Sequence, residues 1–524
     1  MSDPSHQPSL GKEAGAPARP SSRWWSAGLI LLLSGAAVLY VRVISGASHQ
    51  LQNIRTLAIA VVTFAVMLFW LLLVSPLKRT VRRAVFAAAV GVVGLLAALF
   101  EIHGVTGDFA PILRFRWSQP ALPSAASSPA SHPAIEITGS YPQFLGPRRD
   151  ATLPDGPRLA RDWKTRPPEP LWRQPIGAAW SGFAVMGNRA VTLEQRGSKE
   201  WVVCYDVLTG RVYWTHADEA RYSTTIAGEG PRTTPAIAGE KVVTLGGTGV
   251  LNCLDLATGK VLWSKDIITE NQSQVPDWGV AGSPLILDDR VIVNPGGGNG
   301  RSLVAYRLGD GEFVWGGGGD SASYSSPCVG TIAAVPQILM FNQHAVFAHE
   351  PGTGRVLWQH PWGAGQPHVA LPMVIGEDRV LVSSGYGVGS ELLRIQRDAN
   401  GGLRATRLWK TIRLKSKFNN MIARDGHVYG LDDGILACIE LETGEQKWKD
   451  GRYGHGQFLL VRDVLLITAE NGDVVLVDPA PAEHRELTRF RALKGKTWNP
   501  PALIGDLLLV RNDREAACYR LPVE

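Results

Sequence analysis

The hydrophobic pattern changes character about one hundred residues into the chain. Before that point it runs in unbroken apolar blocks, "WWSAGLILLLSGAAVLYV", "TLAIAVVTFAVMLFWLLLVSPL" and "AVFAAAVGVVGLLAALF", separated by short segments that carry Arg or Lys. Each block is about 17 to 22 residues, enough to cross the hydrocarbon core as a helix, and none has the polar face of an amphipathic helix. These blocks predict transmembrane helices over about 24–44, 56–77 and 84–103, behind a tail over 1–23. No charge interrupts the blocks, which argues against an ion or proton path through them. A cleaved signal peptide is not expected, because the first block lacks a small-residue cleavage site and two more follow it.

From Tyr141 onward the period falls to two. "TPAIAGEKVVTLGGTGVLNCLDLATGKVLWSKD" reads as four short strands with Gly-rich turns, and "SPLILDDRVIVNPGGGNGRSLVAYRLGDGEFVWGG" repeats the same order. A tryptophan closes each unit, at Trp172, Trp214, Trp263, Trp315, Trp358, Trp409 and Trp448, with Phe490 in the eighth place. The interval of about 40 to 50 residues is that of a four-stranded propeller blade. The fold class expected is all-β, an eight-bladed β-propeller of four-stranded antiparallel blades over 141–524, preceded by the three transmembrane helices. Between them, 104–140 includes the Pro-, Ser- and Ala-rich stretch "SQPALPSAASSPASHPAIEITGS" and reads as a flexible linker.

In the recurring phrase "DLATGKVLW" the Asp and Thr cap a turn through their side-chain oxygens, the Gly supplies positive φ, and the Trp packs against the next blade. These are needs of construction, so the phrase is a building block and not a multiplied binding site. The last unit, "PPALIGDLLLVRNDREAACYRLPVE", lacks its closing strand, and "EPLWRQPIG" near the start has no strands before it. The first strand is therefore predicted to complete the last blade, which closes the ring without exposed sheet edges.

Composition changes this picture in two places. The net charge of +6 comes from residues 1–117, which hold eleven Lys and Arg against four Asp and Glu, so the repeats are close to neutral and no nucleic acid partner is expected. "KRTVRR" at Lys78–Arg83 and the basic tail at Lys12, Arg19 and Arg23 put the N-terminus in the cytoplasm. The propeller then lies in the periplasm of a bacterial inner membrane, taking a bacterial source as given. Five widely spaced cysteines form no CxxC or CxxCH, and four recur at one repeat position, which marks small buried hydrophobes and excludes attached haem.

The repeat "CLDLATGKVLW", the entry "YPQFLGPRRDATLPDG" and the phrases "AGSPLILDDRVIVNPGG", "SASYSSP" and "SSGYG" resemble the pyrroloquinoline-quinone-like propeller repeat proteins of the quinoprotein alcohol dehydrogenase-like superfamily. The likeness covers Tyr141 to Glu524. That superfamily includes calcium- and quinone-dependent alcohol and sugar dehydrogenases, and also the propeller of an outer-membrane assembly lipoprotein that binds protein. Three functions follow as expectations: a binding or scaffold module for a periplasmic protein or small polar ligand, a quinoprotein dehydrogenase, or a carbohydrate-binding propeller.

Candidate chemistry falls in the loops opposite the Thr-Gly turns. A quinone site needs an aromatic platform, a polarising cation, oxygen ligands for calcium and a carboxylate base. The loops offer Arg232, Trp278, Tyr324, Lys417 and Trp498 for the cofactor, Glu194 and Asn294 for calcium, and Asp277 or Asp432 as base. The adjacent cysteine pair that caps the quinone in the dehydrogenases is missing.

Overall fold

Alternating β-branched stretches cut by Gly turns leave each strand with one buried neighbour on either side, and the chain satisfies this by stacking sheets around an axis. In the computed structural model, which describes residues 23–117, 137, 139–363 and 365–524, the chain divides into two units, Met1–Glu101 and Ile102–Glu524.

The first unit contains α1 (Trp24–Leu39), continued by a π-turn at Tyr40–Ile44, α2 (His49–Leu73) and α3 (Arg79–Leu99). All three are long and apolar enough to span a membrane. The second and third helices begin before the apolar blocks predicted from sequence. Ser48 caps α2, its hydroxyl accepting from the Leu51 amide, so the polar turn that follows is helical too. Pro76 follows directly after Ser75 and ends the helix near Leu73, since the residue before a proline avoids helical geometry. α1 and α2 are tied by two half-buried polar contacts, Thr63 Oγ1 to Ser34 Oγ and Trp70 Nε1 to Ser26 Oγ, each 2.8 Å.

The second unit is an eight-bladed propeller. Blade 2, for example, is built from Ala236–Ala238, Lys241–Leu245, Val250–Asp255 and Val261–Asp266, paired in that order and antiparallel throughout. The eighth blade takes Ala502–Ile504, Leu507–Arg511 and Glu515–Arg520 from the C-terminus and Glu169–Pro175 from the start of the repeats. Cys518 stands opposite Trp172 in that last pairing, so the ring closes as predicted. Arg511, fully buried, strengthens the seam by donating to Thr192 Oγ1, the Leu193 carbonyl and the Gly177 carbonyl of the first blade at 2.7–2.8 Å.

The repeated phrase has the structural use expected. The indole N–H of Trp172, Trp214, Trp263, Trp315, Trp409 and Trp448 donates to a carbonyl just before the turn glycine of the following blade, or to the corresponding turn of the seventh blade, at 2.7–3.1 Å. The ring lies under that blade's glycine: a Cβ on Gly259, where φ is +74°, would sit 2.4 Å from Trp214. Trp358 donates instead to Gln337, because the next blade replaces the short turn with the longer "DANGG" loop. The residue directly across the sheet is small for six of the seven Trp, Cys204, Cys253, Cys438 and Cys518 or Ala305 and Ala348, whereas Trp409 faces Leu392. Those four cysteines are thus spacers that accommodate the ring, while Cys328 faces Leu339; all five are buried and form no disulfide.

The span expected to be a flexible linker departs from the prediction. β1 (Phe100–Val105) and β2 (Pro111–Phe115) pair as a two-stranded hairpin, while residues 118–136, which hold most of the Pro-rich stretch, lie outside the described residues. The hairpin turn is closed by the Phe109 amide bonding the Thr106 carbonyl at 2.9 Å, with Phe109 at φ +60°. Apolar and polar residues alternate in "EIHGV" and "PILRF", and "TGD" supplies the turn, so the Pro-rich composition of 118–136 does not extend to this part of the linker.

Candidate functional site

Aromatic residues from five connections converge at the axial end of the propeller opposite the Thr-Gly turns. Trp278 stacks on Tyr324 with ring centroids 5.0 Å apart and planes at 26°, and meets Phe418 edge-on at 6.0 Å. Phe418 in turn contacts Trp498 at 5.0 Å, which contacts Trp180 at 5.0 Å. Below the rings is a cavity of about 140 Å³, lined by inner-strand and loop residues such as Ser283, Ser326, Asn420 and Gln457, with Phe144 of the entry segment. Val105, Thr106 and Phe109 of the hairpin line it as well.

The hairpin tip is held by polar contacts to three successive connections of the ring. Lys417, between the fifth and sixth blades, donates Nζ to the Gly107 carbonyl at 2.7 Å. Glu470 of the seventh blade accepts the Gly107 amide on Oε1 at 2.7 Å, the Trp498 indole N–H on the same oxygen at 3.0 Å, and the His455 amide on Oε2 at 3.0 Å. Asp108 faces His455 Nε2 at 3.3 Å and Arg452 at 3.5 Å. Lys496 donates to the Val105 carbonyl at 3.1 Å while lying over the faces of Trp498 and Trp180 at 4.2 and 4.5 Å. Gly107 is required by proximity: a Cβ there would stand 2.0 Å from His455 Cδ2.

Burial governs the protonation of these groups. It pulls Lys417 and Lys496 down to about 8, against the pull of neighbouring carboxylates. Burial also opposes ionisation of Asp108, but the hydrogen bond and charge of His455, with Arg452 and Lys417, outweigh it and hold the carboxyl below its ordinary value.

The structure brings together part of the predicted set. Arg232, Trp278, Tyr324 and Trp498 line the cavity, and Lys417 stands at its rim over Tyr386 and Phe418. Arg232 spends its guanidinium on its own connection, donating to the carbonyls of Ala227, Gly228 and Gly230 and stacking on Tyr222. Asp277 is exposed, and its carbonyl accepts the Tyr222 hydroxyl. The remaining candidates lie apart from the cavity. Glu194 is fully buried and accepts from Tyr205, Arg196 and the Gly177 amide at 2.5–2.8 Å. Asn294 donates to the Ser302 carbonyl at 2.7 Å. Asp432 is held between Lys415 and Lys449, each at 2.5 Å. Glu194 and Asp432 are polar residues satisfied inside or beside their own blades, a role sequence position alone does not distinguish from metal or proton chemistry, while the buried Asn294 Oδ1 has no hydrogen-bond partner among the described residues.

Sequence reasoning missed Trp180, Glu470 and the hairpin residues Gly107, Asp108 and Phe109. The turn "TGD" between two alternating segments was the available signal for the hairpin. Glu470 carries none, since an acidic residue before Asn-Gly is ordinary turn chemistry.

With the hairpin tip seated, the cavity does not fit pyrroloquinoline quinone with calcium. The quinone is a rigid tricycle bearing carboxylates, and ligands of drug-like size occupy pockets of roughly 300–1,000 Å³. The cavity is smaller, and its one lining guanidinium is committed to carbonyls. Among the described residues no group of three or more His, Cys, Asp or Glu stands close enough to hold a metal, and Glu194 and Asn294 share no partner.

A family model described as outer membrane protein assembly factor BamB matches residues 198–450. Among solved structures, a europium-containing methanol dehydrogenase is similar at 12% identity and TM-score 0.53, covering 73% of this chain and 98% of that one. BamB from Moraxella catarrhalis is similar at 16% identity and TM-score 0.36, covering 66% and 85%, and the quinohemoprotein alcohol dehydrogenase from Comamonas testosteroni at 12% and 0.44, covering 74% and 82%. No curated protein matches the chain in sequence. At 12% identity the likeness to the methanol dehydrogenase concerns the fold alone and leaves the activity to the site.

Proposed function

With the chain placed among the pyrroloquinoline-quinone-like β-propeller repeat proteins, we propose that it is a binding and scaffold module, anchored in a bacterial inner membrane by its three helices, that holds a protein ligand at the aromatic end of a periplasmic propeller. The Lys and Arg distribution around the helices supports this orientation. One observation carries the reading: the polar groups at the mouth of the site engage peptide groups. Lys417 and Lys496 donate to main-chain carbonyls, and Glu470 accepts a main-chain amide. This is the chemistry of peptide recognition, in which main-chain bonds give affinity and pockets for side chains give specificity.

The dehydrogenase reading makes a different demand, a platform open to a flat cofactor and a cation free to polarise it. Titration of the purified full chain in detergent with pyrroloquinoline quinone and calcium distinguishes the two. No cofactor absorption band and no dye reduction are expected, and the appearance of both would replace the scaffold reading with the enzyme.

A further inference from the structure

Resting on that reading, we propose that the hairpin tip Thr106–Ala110 occupies the protein's own ligand site, and that the external ligand is a turn-forming protein segment with a carboxylate next to an aromatic ring. The tip supplies a template for each contact. Its turn offers a carbonyl to Lys417 and an amide to Glu470 from the same residue, Gly107. Its carboxylate, Asp108, faces the Arg452 guanidinium and the His455 imidazole. The ring of Phe109 then reaches the apolar cavity. Phe109 forms part of the wall of that cavity, which leaves about 140 Å³ unfilled beside the ring.

Its mode of attachment argues that the tip is seated as a ligand. It is joined to the ring by side-chain contacts to its backbone and not by strand pairing, since β1 and β2 pair only with each other. The entry segment, which also reaches the cavity through Phe144, is by contrast built in: Arg149 donates to the Ser283, Pro284 and Pro327 carbonyls at 2.6–3.1 Å, and Ser140–Tyr141 and Thr152–Leu153 join blades as extra strands. A covalently attached occupant competes at an effective concentration in the millimolar range, so an external segment binds weakly until the tip is released.

The test uses the full chain in detergent and a fluorescent cyclic peptide of sequence VTGDFAP. Gly107→Ala places a methyl against His455 and should expel the tip while leaving the blades intact. The peptide is expected to bind this variant at least ten-fold more tightly than the wild-type chain. A control with Asn in place of the peptide's Asp, or Ala in place of its Phe, should lose that gain, as should Lys417→Met introduced into the opened chain. A second variant replaces Thr106–Ala110 with a Gly-Ser segment of equal length, and must behave as Gly107→Ala does. In the wild-type chain, excess peptide should accelerate hydrogen exchange at the Gly107 amide. Equal binding to wild-type and opened chains, or no binding to either opened chain, overturns the proposal. If the opened chains instead bind pyrroloquinoline quinone and calcium, the scaffold reading fails with it; if they bind neither peptide nor cofactor, only the assignment of this ligand fails.

Discussion

The Lys417 ammonium and the Gly107 carbonyl stand 2.7 Å apart, with the lysine 1% exposed to solvent. A buried cation bound to a neutral oxygen has a measurable consequence. Its folded value of about 8 lies below the 10.5 of an exposed lysine, with burial as the main cause. Between those values the folded chain binds fewer protons than the unfolded one, so this residue makes stability rise with pH from about 8 to 10.5. Lys417→Met keeps most of the stem and removes the titration. The variant should gain up to about 3 kcal/mol on the wild type at pH 7.5, less whatever the lost hairpin contact contributed, and the gain should shrink by pH 10. Urea unfolding at the two pH values checks this; a difference independent of pH would show that Lys417 stays charged throughout.

The Trp and Gly of adjacent blades make a second prediction. Gly259 and Gly187 both have positive φ, at +74° and +54°, but a Cβ on Gly259 meets the Trp214 ring while one on Gly187 meets nothing within 4 Å. Alanine at either position incurs left-handed strain of about 1–2 kcal/mol. Gly259→Ala should cost about 1–3 kcal/mol more, the usual range for overpacking. Equal melting temperatures for the two variants would mean that the ring moves aside and is not a fixed part of the seam.

Cys253 stands across the sheet from Trp263 and is wholly buried. Burial pushes its thiol up to about 11, so the native chain should resist alkylation at pH 8 and react only on unfolding. Because Ala305 and Ala348 fill the same place in other blades, Cys253→Ala should cost about 1 kcal/mol; Leu fills it only as Leu392, opposite a Trp409 that is half-buried where Trp263 is buried, so Cys253→Leu should cost about 1–3 kcal/mol by crowding the ring outward. Rapid alkylation of the native protein, or a leucine variant as stable as wild type, contradicts the spacer role.

The blades were legible because their grammar is local. Strand alternation, the capping Asp, the turn Gly and the closing Trp lie within one short phrase, and each has a physical reason to recur. The ring closure was legible for the same reason, as a strand without a sheet at one end and a sheet without a strand at the other. The site was only partly legible because its members belong to different blades. Trp278 and Trp498 could be placed on the correct face, but their partners are set by the three-dimensional order of the loops. Glu194 and Asp432 show the opposite limit: a buried carboxylate paired within its own blade has the same sequence appearance as one aimed into a cleft. The hairpin was hidden by the composition of the residues that follow it.

Glu200, almost fully buried, accepts the Gly247 amide of the next blade at 3.0 Å. Burial raises its carboxyl from 4.5 to about 7, opposed by that hydrogen bond and by the charge of Arg232, and assisted by Asp218. The folded chain therefore keeps this proton to higher pH than the unfolded chain does. Its contribution to stability is fully present below pH 4.5 and is lost as pH rises to about 7, a change of up to about 3 kcal/mol. Glu200→Gln retains an acceptor for Gly247 without the titration, so the variant should match the wild type near pH 4 and exceed it in stability at pH 8. The check is urea unfolding at both values, followed by near-ultraviolet circular dichroism. A variant less stable than wild type at pH 8 would mean that the carboxylate form is the one the Gly247 amide and Arg232 hold, and that Glu200 joins the first two blades as an ion and not as a neutral acid.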